Sequence, residues 1–302
     1  MLGWRLVISF VLVPLLLGLF WWDSQLGTGA PVLLIFCLLL TVRGAFEMSQ
    51  LLRTRNTKPV FEVAAIANVA LVLATWYSIQ QIPDSVSPTD RLMLSLGSVM
   101  IIFLVVLLFL MLLEAIRYRL PGHSMESLGG NLLTVTYSGL LITLLAQFRW
   151  YPQPSVAYFV LGSVIIAVKS GDIMAYTFGR LWGKKKMVPI LSPGKTWMGG
   201  LGAIVGSSLG TWLWLTFGGR LFDAPPTPAG LERILLYGAV LGVVGLIGDL
   251  CESLIKRDCE KKDSAELLPG FGGLLDLIDS PLYAGPVALL FWLAWPPAII
   301  SS

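Results

Sequence analysis

Two short stretches near the C-terminal end of the chain space their charged residues for chemistry. In GDLCESLIKR, Asp249, Glu252, Ser253 and Lys256 fall at i, i+3, i+4 and i+7, which puts all four on one helix face. In PGFGGLLDLIDS, the turn-forming Pro269, Gly270, Gly272 and Gly273 precede Asp276 and Asp279, which stand at i, i+3 and share a face with Ser280 and Tyr283. A helix cap accounts for one Asp, because an acid in a first turn favours the positive end of the helix dipole. Two acids on one face at the edge of an apolar run ask for a cation. Hard oxygen ligands suit Mg²⁺, which takes one or two carboxylates and completes its shell with water or substrate phosphates. For the first stretch, a helix end surfacing at the headgroups, with Glu252–Lys256 as an i, i+4 pair, stays open beside this.

Between the two acid pairs lie Lys256, Arg257, Lys261, Lys262 and Asp263. Residues 253–280 carry 10 of the chain's charged side chains in 28 positions, and no His. Lys point charges and an Arg fork bind phosphate, and cations beside paired acids suit a metal with a polyphosphate. The same cations could instead anchor the chain to anionic lipid.

A second charged segment spans 169–200. Lys169, Asp172, Tyr176 and Arg180 can share a helix face, and Lys184–Lys186 read as a headgroup anchor. SPGKT, Ser192 to Thr196, ends like a phosphate-binding P-loop, but that pattern needs Gly at position 189, where the chain has Pro189. A Walker site is excluded. A Gly-Lys-Thr turn still offers N–H groups, a hydroxyl and an ammonium to a phosphate. His123, the one histidine, reads as a loop residue, and Glu47, Glu114 and Glu126 read as structural.

These residues must be positioned by membrane helices. The 302-residue chain is 56% hydrophobic and 13% charged, with mean hydropathy +0.79. A soluble domain carries about 25% charged residues. Long, continuous apolar runs predict an all-α, polytopic membrane protein, because lipid-exposed backbone must be internally hydrogen-bonded. Nine spans are expected, at about 4–21, 29–46, 60–80, 93–113, 129–148, 155–174, 199–218, 233–253 and 281–299. The first reads as a retained span rather than a signal peptide. With the N-terminus inside, 17 of the 21 Lys and Arg fall on the inner side and 4 outside, which predicts N-in, C-out. The chain reads as one membrane domain, 1–302, with N-terminal spans over 1–128 and catalytic spans over 129–302. Both charged inner segments, 172–198 and 250–280, face the cytoplasm. Three cysteines make no disulfide framework or zinc site, and a net charge of +3 gives no reason to expect nucleic acid.

The charged segments resemble those of the phosphatidate cytidylyltransferase family, the CDP-diacylglycerol synthases. The family signature is matched, with its spacing, at Ser253, Lys256, Arg257, Lys262, Asp263, Leu268, Pro269, Gly272, Gly273, Asp276 and Asp279, and GDLCES looks like the family's G-D-x-x-E-S. An earlier motif is similar at Asp172, Ala175, Tyr176, Gly179, Arg180, Gly183, Lys184, Ser192, Pro193, Lys195 and Thr196. The match covers roughly the last 135 residues, 168–302 of the chain. Phe271 stands where the family usually has His, and Leu277 where it usually has Arg.

The resemblance implies transfer of CMP from CTP to phosphatidate in the cytoplasmic (inner) membrane, with the active site facing the cytoplasm. It implies Mg²⁺ on Asp249, Asp276 and Asp279, with room for a second cation, and catalytic work by these acids with Lys256 and Arg257. Asp172, Tyr176, Arg180, Ser192, Lys195, Thr196, Ser253, Lys262, Asp263, Gly272 and Gly273 would bind substrate. Partners would be CTP, phosphatidate and membrane lipids, with no nucleic acid; a homodimer is a further expectation. Three other classes stand beside this: a CTP-dependent polyprenol or phytol kinase, a non-catalytic relative that binds lipid or nucleotide, and a transporter. A transporter should place its charges near the bilayer midplane in broken helices, whereas these cluster at one face.

Overall fold

The computed structural model describes residues 15–299 apart from 17, 56, 58, 84, 120, 222–226 and 267–271. Most of the first expected span lies outside the described residues, as do Lys58, Leu268, Pro269, Gly270 and Phe271. Among the described residues, eight helices are long and apolar enough to cross a membrane. They are α1 (Pro31–Leu52), α2 (Phe61–Gln81), α3 (Pro88–Arg117), α4 (Ser124–Arg149), α5 (Ala157–Trp182), α6 (Trp197–Phe217), α7 (Leu231–Asp258) and α8 (Leu275–Ala294). Each matches one of the last eight expected spans, and the chain is an all-α polytopic membrane protein. Two short antiparallel pairs accompany them, the hairpin of β1 (Lys186–Val188) with β2 (Ser192–Thr196), and β3 (Thr227–Pro228) with β4 (Ala298–Ile299), which follows α8.

Several helices run past the apolar windows that announced them. α5 continues to Trp182 and α7 to Asp258, while α8 starts at Leu275. Hydropathy marks where a helix is greasy; the backbone stays helical through polar turns because i, i+3 and i, i+4 pairs support it. Lys169–Asp172 at 3.3 Å and Lys256–Glu252 at 2.6 Å are such pairs. Asp172 therefore lies within α5, and the segment between α7 and α8 is shorter than expected.

The chain divides into two compact units, Met1–Trp150 with Asp258–Leu277, and Tyr151–Arg257 with Ile278–Ser302. The first unit packs α1–α4 around Ala45, Ala64, Ala67, Leu71, Val99, Leu110 and Val135. Small residues let these helices close, and buried polar groups pair across them: Asn68 Nδ2 donates to Thr41 O (3.2 Å) and Ser138 Oγ (2.9 Å). Asp23 caps α1, its Oδ1 accepting from the Val32 and Leu33 N–H groups at 2.8 and 3.0 Å. Its Oδ2 accepts from Arg149 Nε at 3.1 Å, and both side chains are 1% exposed. Arg55 Nη2 reaches Asp258 Oδ1 at 2.7 Å, tying the charged 258–277 segment to the end of α1.

The second unit packs α5–α8 on glycine-lined surfaces. A Cβ on Gly206 would stand 2.5 Å from Met174 Cβ and from Ser170 O, so α6 lies almost backbone-to-backbone on α5. Polar anchors lock the pair at the other end, where Trp214 Nε1 donates to Phe159 O at 2.8 Å.

Candidate active site

Four element ends meet at one end of the second unit: the C-terminal half of α5, the β1–β2 hairpin leading into α6, the end of α7 and the start of α8. α7 contributes the predicted stripe. Ser253 Oγ lies 3.4 Å from Asp249 Oδ1, and Lys256 Nζ donates to Glu252 Oε2. α8 brings Asp279 to it. Carboxylate oxygens of Asp249, Glu252 and Asp279 lie within 4.8 Å of one another. This approach depends on Gly248, where a Cβ would stand 2.7 Å from Tyr283 Cβ and 3.2 Å from Asp279 O.

Lysines from other elements balance the acids. Lys195 of β2 sits 2.9 Å from Asp249 Oδ2 and donates to Leu246 O at 3.3 Å. Lys169 and Asp172 of α5 lie near enough to act electrostatically on Asp279, as does Asp249. Four acids thus face three lysines, with Asp279 and Glu252 buried and Asp249 and Asp172 open to solvent on one side. Converging carboxylates repel unless a cation relieves them, and three hard oxygen donors this close fit a divalent ion such as Mg²⁺.

The remaining expected residues fall into two groups. In the second unit, Arg180 Nη1 donates to Tyr176 OH at 3.1 Å on the exposed face of α5, and Arg257 Nε reaches Leu191 O at 3.4 Å. The segment read as a Gly-Lys-Thr turn is strand β2, paired to β1 with Lys186 opposite Thr196 and Val188 opposite Ser192. Thr196 is buried, and its hydroxyl caps α6 by accepting from Gly199 N–H at 3.1 Å.

The first unit holds Lys262, Asp263, Gly272, Gly273 and Asp276. Lys262 and Asp263 are exposed. Gly272 takes φ +88°, the left-handed conformation that turns the chain into α8. Asp276 Oδ2 accepts from Ser264 Oγ at 2.7 Å and from the Ser264 and Gly273 N–H groups at 2.8 Å each. Glu252, expected on the face but left out of the ligand set, occupies the three-carboxylate group with Asp249 and Asp279; Asp276 is not a member of it. Spacing alone treats Glu252 and Asp276 alike, since each is three residues from another acid on one helix.

Comparison with known proteins bears on what this arrangement serves. A phosphatidate cytidylyltransferase of Pseudomonas aeruginosa is 34% identical over 295 residues, covering 97% of this chain and 98% of that protein. One of Chlamydia pneumoniae is 29% identical over 255 residues, covering 83% and 79%. One of Haemophilus influenzae is 36% identical over 140 residues, covering 46% and 48%. A model of the cytidylyltransferase family matches residues 4–295, taking in the acids of α7 and α8 together with the helices that carry them. With a match of that extent, the chain belongs to the cytidylyltransferase family.

Proposed function

We propose that this chain transfers CMP from CTP to phosphatidate, forming CDP-diacylglycerol and pyrophosphate, at the cytoplasmic face of a bacterial inner membrane. The observation that carries the reading is the cluster of Asp249, Glu252 and Asp279 ringed by lysines at one end of the helices, in a chain of this family. The excess of Lys and Arg on that side supports a cytoplasmic orientation, where CTP is found. A phosphatidate headgroup would lie at the depth where these helix ends emerge.

The donor set fits Mg²⁺. Asp249, Glu252 and Asp279 would hold it, and Asp276, one turn before Asp279 on α8, is proposed to complete the acidic set. When bound, the ion would neutralise the triphosphate and the departing pyrophosphate. Lys195 and Lys256, each held by a carboxylate in the structure, are placed to swing their ammonium groups onto phosphate oxygens, with Arg257 and Lys262 supplying further charge. Asp172, Tyr176 and Arg180 line the α5 side. An oxygen of the phosphatidate monoester attacks the α-phosphorus in line. The new P–O bond forms as the bond to the β-phosphate bridging oxygen breaks, and pyrophosphate leaves with that electron pair. The monoester is already anionic near neutral pH, so positioning and charge neutralisation matter more than a strong base. Phe271 in place of His is therefore compatible with turnover.

The test is formation of labelled CDP-diacylglycerol by purified protein from CTP, phosphatidate and Mg²⁺ in detergent. Product that falls by at least about 100-fold in Asp279→Asn and in Asp276→Asn, and with chelator, is expected. Full activity in Asp279→Asn would sink the site assignment. Bound CTP with no lipid product, and a phosphorylated polyprenol instead, would replace the reaction with the kinase reading.

A further inference from the structure

A second acidic constellation lies in the first unit, assembled from opposite ends of the sequence. Glu47, on α1, is 1% exposed. Its Oε1 accepts from Arg43 Nε at 2.9 Å and from Leu274 N–H at 3.0 Å. Its Oε2 accepts from Leu275 N–H at 3.1 Å and lies 3.2 Å from Ser264 Oγ. Ser264 Oγ is also 2.7 Å from Asp276 Oδ2. One hydroxyl hydrogen is thus offered to two carboxylates. A Cβ on Gly273 would collide with Ser264 Oγ and Glu47 Oε2, so the turn into α8 is built around these two groups.

A buried carboxylate is costly unless its oxygens are fully engaged. Arg43, one turn earlier on α1, supplies an ion pair from within the helix. The other partners all belong to the segment that ends in Asp276. An acid that served α1 alone would not need them. The bonds fix two things at once: where the first turn of α8 begins, and how the Asp276 carboxylate is rotated.

We infer that Glu47 is a positioning residue for Asp276, acting through Ser264 and the N–H groups of Leu274 and Leu275. The inference rests on the proposed role of Asp276 in the acidic set. Outer partners of metal-ligating groups typically alter metal affinity or activity by about 10–100-fold.

Two readouts test it: Mn²⁺ affinity by electron paramagnetic resonance, and the Mg²⁺ concentration giving half-maximal CDP-diacylglycerol formation. Glu47→Gln is expected to weaken Mn²⁺ binding and raise the half-activating Mg²⁺ concentration by about tenfold. Ser264→Ala, which removes the hydroxyl between the two carboxylates, should shift both in the same direction by less, and Glu47→Asp, which keeps the charge but shortens its reach, carries the test if Glu47→Gln does not fold. In an Asp276→Asn background Glu47→Gln should add nothing, because both act through one carboxylate. Lowered thermal stability with both metal readouts unchanged would overturn the inference, as would wild-type protein that binds no Mn²⁺. Wild-type protein that binds Mn²⁺, weakened as stated in the variants, but makes no CDP-diacylglycerol would remove the proposed reaction and leave the positioning role standing.

Discussion

Replacing Gly248 by alanine adds one carbon at the point where α7 and α8 bring their acids together. That carbon would stand 2.7 Å from Tyr283 Cβ, 3.1 Å from Tyr283 Cγ and 3.2 Å from Asp279 O. Carbon–carbon contacts settle at about 3.5–4.0 Å, so the two helices must separate by roughly 1 Å. A rotamer change cannot relieve it, because the obstacles are a Cβ and a backbone oxygen. Overpacking of this kind costs about 1–3 kcal/mol of stability. The effect on chemistry should be larger. The carboxylates of Asp249, Glu252 and Asp279 converge within 4.8 Å, and a displacement of about 1 Å at a reacting centre costs on the order of 100-fold, or about 2.7 kcal/mol of barrier. CDP-diacylglycerol formation by folded Gly248→Ala protein should fall by that order, with weaker Mn²⁺ binding. Gly97→Ala is the control, since a Cβ there meets nothing within 4 Å and should leave both unchanged. Gly248→Ala activity within twofold of wild type would refute the claim that helix approach at this residue sets the site.

Other perturbations separate stability from chemistry. Arg149→Met leaves Asp23 buried and without its ion-pair partner, and should destabilise the first unit by about 3–5 kcal/mol, read as loss of thermal stability in detergent. Thr196→Val removes the α6 cap at Gly199 N–H and should cost about 1 kcal/mol, visible as a small drop in melting temperature. Burial pushes the Cys259 thiol above its ordinary pKa, so its thiolate is scarce at neutral pH and grows only as pH rises above the usual thiol range. Maleimide should label Cys259 slowly in folded protein at neutral pH and quickly after denaturation, as peptide mass spectrometry would record.

The membrane helices were legible because their cause is local. A run such as 93–113 is long and carries no charge, and α3 forms around it, capped by Ser87, whose Oγ accepts from Asp90 N–H at 3.2 Å. The stripe Asp249, Glu252, Ser253 and Lys256 was legible for the same reason, as helical spacing alone puts those side chains on one face. Contacts between elements were not. Lys195 was expected at a phosphate-binding turn, yet it sits on a strand and reaches Asp249 across the fold. Asp276 and Glu252 have equivalent spacing, yet Glu252 joins Asp249 and Asp279 while Asp276 turns its Oδ2 to Ser264 and Gly273.

Glu47 marks the limit of spacing rules most sharply. Beside Arg43 at i, i+4 it has a sufficient local partner, and a structural reading follows. That partner engages only one of its oxygens. The other points toward Ser264 and Leu275, 217 and 228 residues away in sequence, and no helical or strand period connects such positions. A buried acid has more lone pairs than one Arg can fill, so each such acid in a membrane helix poses a question about its second oxygen. For Glu47 the answer is the turn that presents Asp276.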